Sequence, residues 1–198
     1  MTTLVLASGN KGKLRELGAL FAPRNISVKP QSDFDVPEAE EPAVTFVENA
    51  LLKARHAAAH TGLPALADDS GLEVAALGGM PGVRSARYAG ETATDADNIA
   101  KLLEALSGKT DRRAAFISVI VALRHADDPT PLIATGRWAG SIADAPSGDG
   151  GFGYDPVFVV PDLGCTAAEL APADKQSMSH RGRAMQLLLP QLQDWLTG

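Results

Sequence analysis

The sequence of 198 residues has a single cysteine, Cys165. One cysteine excludes an internal disulfide, and without a partner thiol it excludes a metal or redox site of the Cys-x-x-Cys type. Because such cysteine usage suits a reducing compartment, we expect a cytoplasmic protein. Residues 1–7 lead directly into a polar glycine loop, and they lack the basic start and the longer apolar stretch of a secretory signal.

Long hydrophobic runs and an excess of positive charge are also missing. Charged residues or glycine interrupt every apolar stretch before it approaches the roughly 18 residues of a membrane span. The formal net charge is −6, which argues against generic binding to duplex nucleic acid, because such binding needs a broad basic face. We therefore expect no membrane and no nucleic-acid partner, and any bound polyanion should be small and held by a local cluster.

The remaining composition is that of an ordinary globular protein, with 45% hydrophobic and 21% charged residues. A chain of this length can bury a substantial core without disulfides. No stretch has the composition of a linker between independent domains. We therefore expect one domain over residues 1–198.

Hydrophobic periodicity predicts alternating strands and helices, the pattern of an α/β protein. Capping sequences at Thr45 and Thr94 predict helices over residues 46–58 and 94–106. A last helix is predicted over about 180–195, kinked or interrupted at Pro190. The other predicted elements are a helix at 14–21 and strands at 4–7, 26–28, 64–67, 114–123, 132–142 and 157–160.

The loop Ser8-Gly9-Asn10-Lys11-Gly12-Lys13 follows the first predicted strand and leads into a helix. Its glycines allow close backbone approach, and its lysines with a helix N-terminus supply positive potential for phosphate. It lacks the spacing of a Walker A motif. Taken alone, a loop of glycine and lysine is more often just a turn.

Asp68 and Asp69 follow a predicted buried strand, at the end where open α/β sheets usually bind ligands. Carboxylates are the ligands that Mg²⁺ prefers, and Glu40 and Glu41 lie upstream. A lone pair of aspartates also caps helices or turns. However, a buried acidic pair repels itself unless a cation or a proton intervenes. A Mg²⁺ site therefore explains the pair better than surface solvation does.

The glycine-rich segment 150–156 contains two of the chain's few aromatic residues, Phe152 and Tyr154. Aromatic rings at a glycine loop offer a stacking platform for a nucleobase, and Asp155 can accept a hydrogen bond from a base edge or a ribose. In isolation, a hairpin turn whose aromatic rings enter the core is at least as frequent.

Two further segments carry cations that suit anion binding. Lys175 and the polar helix start Ser179-His180-Arg181 place positive charge beside backbone amides. A solvated helix start is the alternative, although cations at that position oppose the helix dipole. Arg84 and Arg87 can either reach phosphate or form structural ion pairs.

Together these segments resemble the inosine/xanthosine triphosphate pyrophosphatase family, and the similarity runs nearly end to end. Six motifs in the same order carry it, at residues 8–13, 46–54, 67–72, 81–90, 151–156 and 179–181. The resemblance implies an α/β fold, elongated and two-lobed around a long central mixed β-sheet, with the nucleotide in the cleft between the lobes. It also implies a homodimer.

The resemblance further implies an activity and the roles of individual residues. The expected reaction is the Mg²⁺-dependent hydrolysis of non-canonical purine nucleotides (ITP, dITP and XTP) to the monophosphate and pyrophosphate, which keeps them out of DNA and RNA. Asp69 is the expected catalytic base, and Asp69 and Glu40 are the expected metal ligands. The expected substrate-binding residues are Ser8, Gly9, Asn10, Lys11, Gly12, Lys13, Asn49, Lys53, Ser70, Phe152, Gly153, Tyr154, Asp155, Lys175, His180 and Arg181.

One departure from the family pattern lies ahead of the first capped helix. Where the family often has Glu-Glu-Thr-Gly, this chain has Glu40-Glu41-Pro42-Ala43, so the choice between Glu40 and Glu41 as metal ligand stays open. Two other functions are compatible with the motifs. A pyrophosphatase for modified pyrimidine triphosphates differs only in its substrates, and a nucleotide-binding regulator would release no pyrophosphate.

Overall fold

The computed structural model describes residues 2–21 and 26–197, apart from the side chains of residues 11, 19, 193 and 197. Within these ranges the chain forms seven strands and five α-helices. The strands are β1 (Thr2–Leu6), β2 (Ile26–Pro30), β3 (Ala65–Val74), β4 (Arg113–Leu123), β5 (Leu132–Ile142), β6 (Phe158–Val160) and β7 (Cys165–Thr166). The helices are α1 (Lys11–Phe21), α2 (Phe46–Thr61), α3 (Asp95–Ala105), α4 (Pro172–Met178) and α5 (His180–Thr197).

The seven strands form one sheet in the order β2-β1-β3-β4-β5-β6-β7. β1 pairs in parallel with β2 and with β3, whereas β6 pairs antiparallel with β5 and with β7. Parallel neighbours need long connections, and α1 and α2 provide them between β1, β2 and β3. The expected α/β fold around a central mixed sheet is therefore confirmed.

The chain divides into two compact units. The first comprises residues 1–69, 118–136 and 183–198, and the second comprises residues 70–117 and 137–182. Each has an apolar core of its own. In the first, Leu6 and Leu66 are fully buried where β1 pairs with β3. In the second, the rings of Phe116, Trp138 and Phe158 pack with centroids 4.5–6.3 Å apart.

Local sequence signals set the ends of the helices. Thr45 accepts a hydrogen bond from the amide of Glu48 at the start of α2, and Thr94 forms a complete capping box with Asp97 at the start of α3. Gly62, at φ 64°, ends α2 in a left-handed conformation that glycine adopts readily. Both capped helices therefore lie where the sequence predicts them.

Two elements at the ends of the chain differ from the expectation. α1 begins at Lys11 and not at residue 14, because Asn10 caps its first turn. α5 runs through Pro190 as one helix, so the expected interruption is wrong. Proline removes one helical hydrogen bond, while Leu188 and Leu192 on either side remain anchored in the first core.

β3 differs most from the prediction, and the difference matters for the site. The strand was expected to end at residue 67, but it continues to Val74. Asp68 and Asp69 therefore lie inside a strand and not after one. Acidic residues are tolerated there because Lys13 and Lys53 contact their carboxylates.

Among the described residues, no helix is both long enough and apolar enough to cross a bilayer.

Candidate active site

The loop at residues 8–13 serves largely to cap α1. The side-chain oxygen of Asn10 accepts hydrogen bonds from the amides of Gly12 at 2.9 Å and Lys13 at 3.1 Å. Ser8 Oγ accepts one from the amide of Asn10 at 3.2 Å. At the helix N-terminus that was expected to bind phosphate, the amides of Gly12 and Lys13 are thus bonded to Asn10. The side chain of Lys11 lies outside the described residues.

Lys13 extends from α1 to β3. Its ammonium lies 2.8 Å from Asp68 Oδ2 and donates to the Asp68 carbonyl oxygen at 3.1 Å. The other oxygen of this buried carboxylate accepts a hydrogen bond of 2.5 Å from Ser118 Oγ in β4. Asp68 therefore orients Lys13 and is itself oriented by the neighbouring strand.

Lys53, in the middle of α2, lies between two carboxylates. Its ammonium is 2.7 Å from Asp69 Oδ1 and 3.1 Å from Glu41 Oε2, and it donates to the Asp68 carbonyl oxygen at 3.2 Å. We call Lys13, Glu41, Lys53, Asp68 and Asp69 the carboxylate–lysine cluster. All five belong to the first unit.

Burial controls the electrostatics of Asp69 and Lys53. Burial raises the pKa of the Asp69 carboxyl above its ordinary value, and the charge and hydrogen bond of Lys53 offset this only in part. Burial also acts to lower the pKa of Lys53, but the charges of Asp69 and Glu41 outweigh it and hold that pKa above its ordinary value. Lys53 therefore stays cationic at neutral pH, and Asp69 accepts a proton more readily than an exposed aspartate.

The donor chemistry of the cluster suits a hard divalent cation. Asp69 is only 6% exposed, and its Oδ2 accepts no hydrogen bond from the part of the chain that the structure describes. That part also contains no group of three or more His, Cys, Asp or Glu arranged around a common metal position. Mg²⁺ is often held by one or two carboxylates together with water and substrate phosphates. The residues present therefore fit this ion.

Of the two upstream glutamates, Glu41 is the one linked to this cluster. It is paired with Lys53, whereas the side chain of Glu40 is exposed. The geometry therefore favours Glu41 over Glu40 as the second carboxylate. The sequence analysis expected Glu40 instead, because the sequence does not show that Lys53 of α2 pairs with Glu41.

Asn49 is another residue whose surroundings differ from the expected ones. It is 1% exposed. Its side-chain oxygen accepts a hydrogen bond from the amide of Ala43 at 3.0 Å, and its Nδ2 donates to the Ala43 carbonyl oxygen at 3.2 Å. Both ends of the carboxamide are thus engaged by backbone ahead of α2, and the geometry does not favour a contact with substrate.

In the second unit, the glycine loop is built around a buried acid. Asp155 Oδ2 accepts hydrogen bonds from the amide of Phe152 at 2.7 Å and from Lys175 Nζ at 2.6 Å. Gly151 has φ 74°, and a Cβ on it would overlap the Asp155 carboxylate. Glycine is therefore required at this position both for its backbone conformation and for space.

Phe152 presents a half-buried ring beside two cations. The ammonium of Lys175 lies 4.8 Å from the ring centroid, and the guanidinium carbon of Arg181 lies 5.9 Å from it. Arg181 also donates to Ser70 Oγ at 3.0 Å. We call Ser70, Phe152, Asp155, Lys175 and Arg181 the aromatic–cation cluster. An aromatic face with N–H donors beside it suits stacking on a nucleobase and recognition of its oxygen atoms.

Tyr154 and His180 support the second unit from within. Tyr154 is buried, and its hydroxyl donates to the Ser85 carbonyl oxygen at 2.8 Å. The ring of His180 stacks on that of Phe116 with centroids 4.8 Å apart. Tyr154 therefore packs against the protein in a supporting role, and the contact of His180 with substrate stays a prediction.

Two residues that shape the site were missed at the sequence level. Ser118 is the only hydroxyl residue in the otherwise apolar stretch 114–123, and that isolation was the available signal. Asp95 accepts a hydrogen bond of 2.7 Å from the amide of Gly153. Nothing in the sequence distinguishes Asp95 from an ordinary acidic residue in the first turn of a helix.

Comparison with known proteins decides the family. The model of the Ham1 family matches residues 4–191. The chain belongs to the Ham1 family. The resemblance inferred from the six motifs is therefore confirmed. A relative from Aromatoleum aromaticum, named dITP/XTP pyrophosphatase, is 63% identical over 189 residues, which cover 96% of each chain. Another of the same name, from Vibrio cholerae, is 53% identical over the whole of both chains.

Solved structures of Ham1 proteins agree with the fold. A HAM1 protein from Coxiella burnetii superposes with a TM-score of 0.92 at 53% identity, and the match covers 98% of this chain and 100% of that chain. The Ham1 protein of Staphylococcus aureus gives a TM-score of 0.87 at 42% identity over the same shares. The α/β architecture is thus common to these Ham1 proteins.

Proposed function

We propose that this Ham1-family chain hydrolyses the non-canonical purine nucleotides ITP, dITP and XTP to their monophosphates and pyrophosphate, with Mg²⁺ as cofactor. Relatives that match it over nearly their whole length carry the name dITP/XTP pyrophosphatase. The structural observation that carries the proposal is the buried Asp69, with one oxygen on Lys53 and the other accepting no hydrogen bond from the described residues.

The reaction requires a base, a leaving group and stabilisation of charge. A water oxygen bonds to the α-phosphorus, the bond from that phosphorus to the bridging oxygen of the β-phosphate breaks, and pyrophosphate leaves. Asp69 accepts the proton of the water at Oδ2, the oxygen that accepts no hydrogen bond from the described residues. Lys13 and Lys53 supply positive charge that stabilises the departing pyrophosphate.

The carboxylates of Asp69 and Glu41 are the proposed ligands of Mg²⁺. When bound, this ion neutralises phosphate charge and lowers the pKa of water. Lys53 contacts both carboxylates, so it keeps the two like charges stable near each other. Asp68, bonded to Lys13 and Ser118, orients a lysine and is not needed as a ligand.

The aromatic–cation cluster supports recognition of a 6-oxo purine. Phe152 offers a ring for stacking, and Lys175 and Arg181 offer N–H donors beside it. Hypoxanthine and xanthine carry an oxygen acceptor at the 6-position, whereas adenine carries an amino donor. Two facing donors leave hydrogen bonds unmade at a cost of roughly 1–3 kcal/mol each, so ATP should be rejected by about 10²-fold or more.

A nucleotide panel tests the proposal. Phosphate is measured with malachite green for ITP, dITP, XTP, GTP, ATP and modified pyrimidine triphosphates, with and without added inorganic pyrophosphatase. We expect signal from the 6-oxo purines only when the coupling enzyme is present, and none after EDTA. Phosphate that appears without the coupling enzyme would show γ-cleavage and refute the assignment. Binding of ITP without turnover would instead support a regulator.

We also propose that the protein acts in the cytoplasm as a homodimer. The single cysteine, Cys165, suits a reducing compartment, and the dimer follows from the resemblance to the family. Light scattering coupled to size-exclusion chromatography tests the second point, because it distinguishes one 20.6 kDa chain from two.

A further inference from the structure

The segment of residues 37–43, which we call the acidic segment, makes its polar contacts with α2. It has no helix or strand of its own. Among the described residues, each of its hydrogen bonds and ion pairs has a partner in α2 (His56, Lys53 or Asn49). These polar contacts are therefore made with one helix and not within the segment, while the Glu38 carboxylate also lies near the loop at Gly9, where a Cβ would come within 3.1 Å of its Oε1.

Asn49 makes the most specific of these contacts. Its carboxamide accepts from the amide and donates to the carbonyl of the same residue, Ala43, at 3.0 and 3.2 Å. No other side chain of similar size has a donor and an acceptor so placed. Because Asn49 is 1% exposed, removal of either hydrogen bond would leave a buried polar group unsatisfied.

His56 holds the other end of the acidic segment. Its Nε2 donates to the Pro37 carbonyl oxygen at 2.9 Å. Asn49, Lys53 and His56 are spaced four and three residues apart, so they lie on one face of α2. Between the two backbone anchors, Lys53 pairs with Glu41 at 3.1 Å.

We infer that Asn49 and His56 are positioning residues that hold the acidic segment on α2, so that Glu41 stays beside Lys53 and Asp69. The inference rests on the proposed function, in which Glu41 and Asp69 bind the metal ion. It replaces the expected contact of Asn49 with substrate. A carboxylate on an unanchored loop would have to be ordered each time the ion binds, and anchoring removes that entropy cost.

The first test separates metal binding from substrate binding. Asn49→Ala is compared with the wild-type protein in Mg²⁺ titrations at saturating ITP and in ITP titrations at saturating Mg²⁺. We expect the Mg²⁺ concentration for half-maximal rate to rise about tenfold, as is typical when a group that orients a metal ligand is lost. We expect KM for ITP to change by less than about twofold, because a group that contacts no substrate adds nothing to its binding.

A matched pair of histidine variants controls for general destabilisation of α2. His56→Ala removes the anchor at Pro37. His60→Ala, one turn later, removes a hydrogen bond of 2.8 Å to the His56 carbonyl oxygen and a ring contact with His56 at a centroid distance of 4.2 Å, but no contact with the acidic segment. We expect His56→Ala to raise the Mg²⁺ requirement and His60→Ala to leave it unchanged. Equal effects of the two variants would refute a role for His56.

The second test needs neither metal nor turnover. A glutamate-specific protease must bind the chain around the exposed Glu38 and Glu40 in an extended conformation, so the cleavage rate of the metal-free protein rises as the acidic segment detaches from α2. One hydrogen bond is worth roughly a factor of five in such an equilibrium. We therefore expect cleavage about fivefold faster or more in Asn49→Ala and His56→Ala, and unchanged in His60→Ala.

The outcomes distinguish the inference from the proposed function. If the wild-type protein hydrolyses no nucleotide, the proposed function fails, and the protease rates still test the anchoring. If the wild-type protein is active but Asn49→Ala raises KM for ITP and leaves the Mg²⁺ requirement and the cleavage rate unchanged, Asn49 contacts substrate and the inference is refuted.

Discussion

Lys175 and Asp155 form a buried ion pair with 2.6 Å between Nζ and Oδ2. The side chains are 9% and 3% exposed, so neither charge has much contact with water. The same carboxylate oxygen receives the amide of Phe152. Asp155 therefore holds both the Lys175 ammonium and the backbone of the glycine loop in place beside the ring of Phe152.

Removal of Lys175 should destabilise the protein strongly. Lys175→Ala leaves a buried carboxylate without its cation, which typically costs about 3–5 kcal/mol. Urea unfolding measures the free-energy change, with Lys109→Ala at an exposed site as the control. A loss below about 1 kcal/mol, similar to that of an exposed pair, would show that Asp155 does not depend on Lys175.

Asp69→Asn should nearly abolish turnover. The change keeps the shape of the side chain but removes the base and one metal ligand, and we expect pyrophosphate release to fall by roughly 10²-fold or more. Circular dichroism should show an intact fold, and ITP should still bind. Near wild-type turnover in this variant would exclude Asp69 as the base.

Asp128 provides a pH-dependent contribution to stability in the first unit. The guanidinium of Arg124 donates to it at 3.0 and 2.8 Å, and these hydrogen bonds hold the pKa of Asp128 far below its ordinary range. A lowered pKa in the folded state adds stability above the unfolded value of about 3.9. That stability is lost as pH falls through the folded value.

We therefore expect Asp128→Asn to lower the melting temperature by roughly 3–6 °C at pH 7. The difference from the wild-type protein should shrink below about pH 4, where the Asp128 carboxylate of the unfolded wild-type chain begins to bind a proton while the folded one stays ionised. Differential scanning calorimetry across pH measures both effects, and the exposed neighbour serves as a control in Asp127→Asn. A difference that is constant with pH would contradict the electrostatic origin.

Arg181 should contribute to the choice of base. We expect kcat/KM to be highest for ITP and XTP, lower for GTP and lowest for ATP, because guanine shares the 6-oxo group but carries a 2-amino group. Arg181→Ala should narrow the gap between ITP and ATP. Since Arg181 is 2% exposed, Arg181→Lys is included to retain the charge, and thermal unfolding checks both variants.

The wild-type protein provides the first check of this prediction. If its kcat/KM values for ATP and ITP are comparable, recognition of the 6-oxo group is refuted. An Arg181→Ala variant that folds normally and keeps the full preference for ITP would instead remove Arg181 from base selection.

The fold could be predicted well from the sequence because its elements carry local signals. Thr45 and Thr94 mark helix starts that the structure reproduces. The long stretches 114–123 and 132–142 mark two neighbouring strands, of which only β4 is an apolar run. β7 and α4 were not predicted, because two and seven residues are too few for a periodic pattern to emerge.

The site was predicted less completely because local patterns do not reveal partners that are distant in the chain. The sequence singles out Asp68, Asp69, Lys13 and Lys53, but not which lysine contacts which aspartate. The preference for Glu41 over Glu40 depends on Lys53, 12 residues away. The role of Asn49 depends on a backbone contact that no composition or spacing could indicate.

The extension of β3 through Asp68 and Asp69 also limits which changes of chain length the protein tolerates. Successive strand residues face opposite sides of a sheet, and Lys13 and Ser118 contact Asp68, whereas Lys53 contacts the carboxylate of Asp69. α2 ends at Thr61 and β3 begins at Ala65, so little chain is available between them to absorb a change. An insertion or deletion of one residue there would slip the strand and exchange the partners of the two aspartates. We expect natural variation in length to avoid this connection and to accumulate in other surface loops.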